Sequence, residues 1–494
     1  MSIPRANGAV NGGLFGLLVV CALALAPSQS PQLDVDDLRA KIRKAVADGT
    51  TPSLAVAVAR GGQILWSEGF GFADREAGVP ATADTPYSIA SVTKPFTATA
   101  VMILEQRQRL ALDEPVSRYL GPLIRPGVGI PNEVTLRRIL GHVAGFPLHY
   151  QYFFEGEAHR PLSFADTMRC YGAEIQPPGN RFTYSNLGFG VLGETVARVS
   201  GQRYRDFLTH EVFAPLALKH ASVPELAEEA AGAAKRYGRD GRPLPFYVTD
   251  HAGASAVYAS VEDLVRFGSF HAGALMSGQR AVLTPASLAA MQQPGLGDYG
   301  LGWSINRDWN GHRVIWHSGA MPGSSATLWL VPAEKIAIAL VGNQITGPVN
   351  QLAGEILQDL LRVGPPAATG SRGPEEATPA KPASTSASTV SPVGRYRGTV
   401  STCPTPEVLA IDIGGPREIG VTLGKASARQ LEEASLTAGR LSGTFGSTGS
   451  GDSTYRLDLR AVGDRLEGPV IRRTSLGPRA NVAVTLWAAL ERER

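Results

Sequence analysis

Apolar and polar positions along the chain predict strands at both ends of the first 360 residues and helices between them. Residues 34–48 carry apolar side chains at helical spacing and predict an amphipathic helix. The stretch SLAVAVARGGQILWSEGFGFAD, residues 53–74, predicts a hairpin of two strands joined at Gly61-Gly62. Four β-type runs follow in close succession over residues 299–343, and NQLAGEILQDLLRV, residues 350–363, predicts a closing helix.

This order of elements defines a fold class. Helical and loop segments dominate from residue 89 to about residue 290, so predicted strands bracket a helical middle. Such an order favours one antiparallel sheet flanked by helices, with a mainly helical subdomain beside it. We therefore expect an α/β fold, more strictly α+β, in one domain over residues 31–363.

The pattern changes twice beyond that domain. Residues 364–392 are rich in Pro, Ala, Ser and Thr without apolar periodicity, and they predict an extended, mobile linker. Residues 393–494 alternate short β-type runs with Gly-rich turns, which indicates a small all-β domain, either barrel or sandwich. This last segment holds no cluster of candidate catalytic residues, so we expect it to be dispensable for chemistry.

Composition restricts the function classes. A chain of 494 residues is too long for a single core, and its net charge of +3 (47 basic minus 44 acidic residues) has no long runs. Nothing in it indicates nucleic-acid binding, and the nine histidines show no metal-binding spacing. Cys170 and Cys403 lie far apart in sequence, so we predict no disulfide framework.

The N-terminus has the features of a secretory signal. Arg5 precedes the short apolar stretch LFGLLVVCALALA, residues 14–26, and small residues follow it. A membrane anchor is the alternative, but 13 apolar residues are short for a span. Lipid attachment at Cys21 is disfavoured because Val20 precedes it within the apolar run. We expect a signal peptide over residues 1–30, a secreted or periplasmic protein, and no membrane span in the mature form.

A serine and a lysine three residues apart open an apolar helical stretch in SIASVTKPFTATAVMILEQ, residues 88–106. Pro95 is tolerated only in the first turn of a helix, so the helix is predicted to begin near residue 91. Ser91 would then lie at the N-terminus, where the helix dipole favours negative charge, with Lys94 on the same face. Taken alone, the pair favours an ordinary N-cap and a solvated lysine, because S-x-x-K is a short and common motif.

Two later stretches offer partners for such a serine. Tyr184 and Asn186 lie in a turn just before an apolar helix, although a capping Asn beside a half-buried Tyr is an even alternative. His317, Ser318 and Gly319 end a β-type run, where an edge strand would offer backbone N–H groups to a substrate. The alternative there is a hairpin with an incidental surface histidine.

One apparent nucleotide motif is discarded. GFGVLG, residues 188–193, matches G-x-G-x-x-G, but it follows Tyr-Ser-Asn and lies within a predicted apolar helix. A dinucleotide site requires a preceding strand and a following acidic residue. We interpret the small residues as allowing close helix packing.

Together, the three motifs and their order resemble the serine β-lactamase and penicillin-binding protein superfamily. The resemblance is strongest to the class C β-lactamase-like branch, which includes D-Ala-D-Ala carboxypeptidases, D-aminopeptidases and esterases. The segments YSIASVTKPFTA, VTLRRILGHVAGFP, PPGNRFTYSNLGFGVLG and YGLGWSI all look like recurring segments of that group. The resemblance covers roughly residues 35–360.

The resemblance implies roles for particular residues. Ser91 would form an acyl-enzyme, and Lys94 and Tyr184 would share the proton transfers, with either of them as the base. Asn186 would bind the substrate amide and hold Lys94. Ala320 would join Ser91 in offering backbone N–H groups to the oxyanion.

The resemblance also marks a departure at His317, where most β-lactamases have lysine. Ser318 and Gly319 would bind substrate beside it, and His149 would line the acyl pocket. A neutral imidazole holds a carboxylate less well than lysine does, which places efficient β-lactam hydrolysis in doubt. If a protonated His317 did hold an anionic substrate, kcat/KM would rise as the pH falls through its pKa.

The sequence therefore predicts a secreted serine hydrolase that cleaves an amide, peptide or ester, with D-amino-acid peptides or small esters favoured. A class C-type β-lactamase, or a non-catalytic penicillin-binding or sensor protein, is the alternative. No cofactor and no metal is expected. The expected partner is a small-molecule or peptide substrate, for which the cell wall is one source.

Overall fold

The computed structural model describes residues 33–122, 133–363, 393–402, 405–416, 418–437, 439–446, 453–475 and 481–493. The predicted signal peptide and linker therefore lie outside the described residues. Within the described ranges, no helix is both long enough and apolar enough to cross a membrane.

The α-helices are, in chain order, α1 Val35–Ala47, α2 Thr93–Gln106, α3 Ser117–Leu120, α4 Leu136–Leu140, α5 Phe164–Tyr171, α6 Asn186–Ser200, α7 Tyr204–Leu208, α8 Ala252–Ser255, α9 Val261–His271, α10 Pro285–Met291 and α11 Val349–Leu361.

The strands up to the predicted linker are β1 Ser53–Arg60, β2 Gln63–Asp74, β3 Val79–Pro80, β4 Tyr87–Ser88, β5 Tyr152–Phe154, β6 Tyr247–Thr249, β7 Tyr258–Ala259, β8 Ser304–Trp309, β9 His312–Met321, β10 Ser324–Val331 and β11 Ile336–Gly342. Those beyond it are β12 Gly394–Val400, β13 Glu407–Gly415, β14 Glu418–Leu423, β15 Arg429–Gln430, β16 Glu432–Thr437, β17 Arg440–Gly446, β18 Ser453–Val462, β19 Arg465–Ser475 and β20 Asn481–Arg492.

The first large sheet joins the two ends of the 53–342 segment, as the sequence predicted. Its order is β3-β2-β1-β11-β10-β9-β8, and the paired strands run antiparallel. The hairpin turn at Gly61-Gly62 has φ angles of 59° and 81°, a backbone region that glycine adopts without steric cost. β1 pairs with β11, so residues almost three hundred positions apart lie side by side.

Alternation along β1 separates two hydrophobic cores. Val56 and Val58 pack toward the side of α1 and α11, whereas Ala55 and Ala57 pack toward the side of α9. Small side chains on that second face let α9 approach closely, and a Cβ built on Gly268 of α9 would lie 2.8 Å from Leu330 Cδ2. Helices therefore cover both faces of the sheet, which confirms the predicted fold class.

The segment after the predicted linker forms a second antiparallel sheet, of order β15-β14-β13-β12-β20-β19-β18-β17-β16. Its two edge strands, β15 and β16, are separated in sequence by Leu431 alone. The sheet must therefore curl until its edges approach, which produces a nearly closed all-β domain.

This all-β domain contacts the helical part of the first. Ser401 Oγ donates to the Cys170 carbonyl at 3.4 Å, and Tyr150 pairs with Ala483 of β20. Cys170 is disulfide-bonded, and the other cysteines of the chain lie outside the described residues. The prediction of no disulfide framework is thus wrong for Cys170, because sequence separation does not limit which residues a fold brings together.

Candidate active site

Ser91 lies in a 3₁₀ turn, Ala90–Val92, that leads directly into α2. Pro95 is the third residue of α2, where no backbone N–H is needed, so the predicted helix start is correct to within two residues. Ala90 has a φ of 48°, a left-handed conformation that a non-glycine residue adopts only when its surroundings impose it. The nucleophile candidate thus follows a strained residue at the open end of a helix.

Lys94 is fully buried, with none of its surface exposed. Its Nζ lies 3.1 Å from Ser91 Oγ, 2.7 Å from Asn186 Oδ1 and 3.2 Å from the Ala254 carbonyl oxygen. Among the described residues no carboxylate forms an ion pair with it. Burial therefore lowers the pKa of Lys94 well below its usual value.

Tyr184 and Asn186 complete this group. The Tyr184 hydroxyl shares a hydrogen bond with Ser91, and its ring centroid lies 4.7 Å from Lys94 Nζ. Burial raises the pKa of Tyr184, and the hydrogen bond to Ser91 offsets only part of that rise. Asn186 is the first residue of α6, and its Nδ2 donates to the His149 carbonyl at 3.0 Å.

Glycines in α6 bring the Ala254 carbonyl within reach of Lys94. A Cβ built on Gly193 would lie 3.1 Å from Gly253 Cα, and one on Gly190 would lie 3.1 Å from His251 Cβ. The G-x-G-x-x-G match is therefore a packing surface for α8, as the sequence analysis interpreted it, and α8 in turn carries one of the Lys94 acceptors.

The edge of β9 that β8 leaves uncovered faces the 3₁₀ turn that carries Ser91. β8 pairs with β9 only as far as Trp316, so residues 317–321 have no β8 neighbour. A Cβ on Gly319 would clash with the Ile89 carbonyl oxygen and lie 2.9 Å from Ser91 N, so only glycine lets the strand approach this closely. Ala320 follows as an exposed residue, whereas the Ser318 hydroxyl contacts Thr327 and Asn350.

His317 is buried, with 3% of its surface exposed. Its Nδ1 lies 2.8 Å from the Ser318 carbonyl, which can only accept, so Nδ1 carries the proton. Nε2 then accepts from the Tyr299 hydroxyl at 3.0 Å. Burial lowers the pKa of His317 to about 3. The imidazole is thus a neutral anchor for Tyr299 near pH 7.

His149 also occupies a different place from the one predicted. Its ring is buried, and Nε2 lies 3.0 Å from both carboxylate oxygens of Asp250. His251 Nδ1 lies 2.7 Å from Asp250 Oδ1. Burial raises the pKa of Asp250, but the two histidines lower it by more, so it lies below its usual range. His149 meets the site through its carbonyl, since its ring has no surface to line a pocket.

Within the described residues, His149, Asp250 and His251 are the group whose side chains could hold a metal ion, with ligand atoms all within 4.8 Å of one another. His149 Nε2 and His251 Nδ1 already lie within hydrogen-bond distance of the Asp250 carboxylate, whereas His149 Nδ1 is buried without a hydrogen-bond partner among the described residues. The cluster joins the loop at residue 149 to the start of α8, and therefore ties together two segments that contact Asn186 and Lys94.

Sequence reasoning missed His142 and Tyr299. His142 Nδ1 accepts from the Ser185 N–H at 3.1 Å, and its ring centroid lies 4.4 Å from that of Tyr184 and 4.7 Å from that of Tyr299. Burial keeps its pKa well below the usual value. Both residues lie in the segments GHVAGFP and YGLGWSI, but a single His or Tyr in a loop gives no periodic signal that would assign it to a site.

Comparisons with known proteins find relatives of this chain. A sequence model of the beta-lactamase family, described as "Beta-lactamase", matches residues 38–361. Penicillin-binding protein 4 of Amycolatopsis lactamdurans is 31% identical over 318 residues, covering 60% of this chain and 82% of that protein. Protein flp of Staphylococcus aureus (strain MW2) is 25% identical over 308 residues, so the match spans 60% of each of the two chains.

A solved structure extends the comparison over both domains. The octameric penicillin-binding protein homologue from Pyrococcus abyssi superimposes with a TM-score of 0.58 at 20% identity, covering 92% of this chain and all of that one. At this identity the likeness concerns the fold alone.

Proposed function

The chain belongs to the beta-lactamase family, and from this premise we propose that it is a secreted serine hydrolase that forms an acyl-enzyme on Ser91. Its substrates would be amides, peptides or esters, with D-amino-acid peptides and small esters favoured. The family assignment confirms the resemblance stated from the sequence, whereas the activity, the substrate and the export remain our proposal.

The observation that carries this proposal is the set of three contacts made by Lys94 Nζ. A neutral amine has two N–H donors and one lone pair, which match two carbonyl oxygens and one hydroxyl proton. Asn186 Oδ1 and the Ala254 carbonyl take the donors, so the lone pair is left for the Ser91 proton at 3.1 Å. Because burial favours the neutral form, Lys94 is our candidate for the general base.

The reaction then proceeds in two halves. As Ser91 Oγ bonds to the carbonyl carbon, its proton moves to Lys94, and the oxyanion accepts from the N–H groups of Ser91 and Ala320. Tyr184, whose raised pKa keeps it a phenol, passes a proton to the leaving nitrogen or oxygen and is reprotonated from Lys94. In the second half, water attacks the carbonyl carbon of the acyl-enzyme and gives a proton to Lys94. The bond to Ser91 Oγ then breaks, Ser91 is reprotonated, and the free acid leaves.

Two features support amide and ester substrates over β-lactams. The free edge at residues 317–321 can pair with an extended substrate backbone. The neutral, buried His317 offers no charge to a β-lactam carboxylate, and a neutral hydrogen bond is weaker than a charge-assisted one by about 1 kcal/mol. We expect weak β-lactam turnover.

The proposal is tested by labelling the protein with a fluorophosphonate and locating the adduct by mass spectrometry. Ser91→Ala should abolish labelling, whereas Ser277→Ala, at an exposed loop serine, should leave it unchanged. Lys94→Ala and Tyr184→Phe should each lower the labelling rate at least ~10²-fold. An adduct on another residue would refute the assignment of the nucleophile.

The substrate class is tested by a panel of D-amino-acid amides, short acyl esters and cephalosporins. Faster turnover of the first two groups is expected. Efficient cephalosporin hydrolysis would instead favour a class C-type β-lactamase.

A further inference from the structure

Arg236 is a buried cation among aromatic rings. Only 6% of its surface is exposed, and its guanidinium carbon lies 3.7 Å from the Tyr247 ring centroid and 5.3 Å from that of Tyr258. Nη2 donates to the Tyr247 carbonyl at 3.3 Å and to the Tyr258 hydroxyl. The residue precedes Tyr237, and both pack against the turn between β9 and β10, where a Cβ on Gly323 would lie 2.8 Å from Tyr237 N.

The charge of Arg236 has no carboxylate partner among the residues that the structure describes. Its contacts are with a carbonyl, a hydroxyl and ring faces, and within the described ranges its Nη1 is buried without a hydrogen-bond partner. Arginines that serve only packing usually have their donors satisfied, since an unpaired buried donor is costly. This guanidinium therefore retains a donor and a full charge for another group.

Arg236 lines a cavity of about 310 Å³. Ser88, which lines the same cavity, also carries a buried hydroxyl without a partner. Tyr247, Tyr258 and Met321 contribute apolar and aromatic surface. Among the described lining residues, the one carboxylate belongs to Glu225, whose side chain is 56% exposed and lies 3.4 Å from Arg205.

Two residues that line the cavity adjoin the proposed catalytic group in sequence. Ser255 lines it and directly follows Ala254, whose carbonyl accepts from Lys94. Met321 lines it and directly follows Ala320 on the free edge of β9. A ligand in the cavity would thus contact residues that directly follow Ala254 and Ala320, both of which the proposed mechanism uses.

We propose that this cavity is a binding site for a small organic carboxylate, whose carboxylate group is held by Arg236 and Ser88 and whose apolar body lies among the tyrosine rings. The planar fork of a guanidinium suits a carboxylate, and a buried serine hydroxyl can donate a further hydrogen bond. A volume of about 310 Å³ is at the lower end for small-molecule sites, which fits a ligand of about the size of a phenylalkanoate.

The test measures binding by titration calorimetry to the full chain carrying Ser91→Ala, so that binding is separated from turnover. The probes are 3-phenylpropanoate and its uncharged match, 3-phenylpropanamide. The carboxylate should bind about tenfold more tightly than the amide, the scale expected for a charge-assisted over a neutral hydrogen bond. Arg236→Gln should reduce its affinity to that of the amide, and Arg236→Lys should retain part of the difference.

A second variant keeps the test decisive if Arg236→Gln fails to fold. Val248→Phe enlarges a half-buried lining residue without touching the guanidinium, and it should weaken the binding of both probes. Equal affinity for the two probes, no binding of the carboxylate, or unchanged binding by a folded Arg236→Gln variant would overturn the proposal. None of these outcomes bears on labelling of Ser91, so the proposed function is judged separately.

The same titration distinguishes two sources of the carboxylate. If wild-type protein blocked at Ser91 with a fluorophosphonate no longer binds the probe, the site receives an acidic group of the substrate. If binding persists, the site receives a separate effector. Either result supports the carboxylate site.

Discussion

Tyr150 and Ala483 exchange two main-chain hydrogen bonds, with N–O distances of 2.6 and 3.1 Å, between the first domain and strand β20 of the second. The Tyr150 side chain also bonds to Asn186, whose Oδ1 lies 2.7 Å from Lys94 Nζ. The all-β domain is therefore connected to the candidate base through two intervening residues. This connection argues against the sequence-based expectation that the domain is dispensable for chemistry.

Disturbing this contact should lower acylation. Val482 packs in a cluster with Tyr150 and Met321, so Val482→Asp would place an unpaired charge in an apolar contact. We expect the fluorophosphonate labelling rate at Ser91 to fall about tenfold, on the scale of 1.4 kcal/mol. Val462→Asp introduces the same charge on the same domain at a residue that is 46% exposed, and it should have no effect. Equal rates in both variants would show that the domain only adjoins the site.

Gly319 should tolerate no side chain. Because a Cβ there would clash with the Ile89 carbonyl, Gly319→Ala should push β9 away from the turn that carries Ser91. Losing one oxyanion donor typically lowers kcat about 10²–10³-fold, and we expect a loss in that range for ester hydrolysis. Gly354→Ala is the matched control, since its Cβ would meet only Trp329 Cη2 at 3.9 Å. Full activity of Gly319→Ala would contradict the assigned oxyanion site.

Asn186→Asp should change the pH dependence of acylation. The reactive form of Lys94 is neutral, so the rate rises as the pH increases through the lowered pKa of this lysine. A carboxylate at 2.7 Å would favour the ammonium form and raise the pKa of Lys94, so the pH range over which the rate rises moves to higher pH.

The Asn186→Asp variant should therefore be slow at neutral pH and recover toward alkaline pH, as measured by labelling rates across a pH series. The variant also loses the hydrogen bond that Asn186 donates to the His149 carbonyl, so its maximal labelling rate would be lower. Loss of that bond alone would not move the pH range over which the rate rises. Asn310→Asp, on the loop between β8 and β9, should leave the profile unchanged. An unshifted pH range in Asn186→Asp would argue against Lys94 as the base.

His317 should not titrate during catalysis. Burial lowers its pKa to about 3, so the imidazole stays neutral at any higher pH and kcat/KM should show no inflection near pH 6.5. The rise in kcat/KM at falling pH, which the sequence predicts only if a protonated His317 holds an anionic substrate, is therefore not expected near pH 6.5. The profile of His317→Gln, measured with an anionic and a neutral ester, should differ from wild type in height and not in shape. An inflection of kcat/KM near pH ~6–7 that is absent in His317→Gln would show that the imidazole is protonated during catalysis.

The sequence by itself determined the elements and the identity of the central catalytic candidates. Short apolar runs between turn residues predicted β1, β2 and the strands from β8 to β11, because strands that are covered on both faces need nearly continuous apolar side chains. Ser91, Lys94, Tyr184 and Asn186 became candidates because their motifs and the order of those motifs resemble the serine β-lactamase superfamily, whereas each motif alone is also compatible with a helix cap or a surface side chain.

Only the tertiary structure decided which groups are charged and which face the substrate. His317 and His149 have the same chemistry in sequence, but their burial against Tyr299 and Asp250 removes both rings from the substrate surface. Burial likewise lowers the pKa of Lys94, which supports its proposed role as the base. The contact between Tyr150 and Ala483 joins residues more than three hundred positions apart. Desolvation and such long-range contacts arise from packing in three dimensions, which leaves no periodic trace in the sequence.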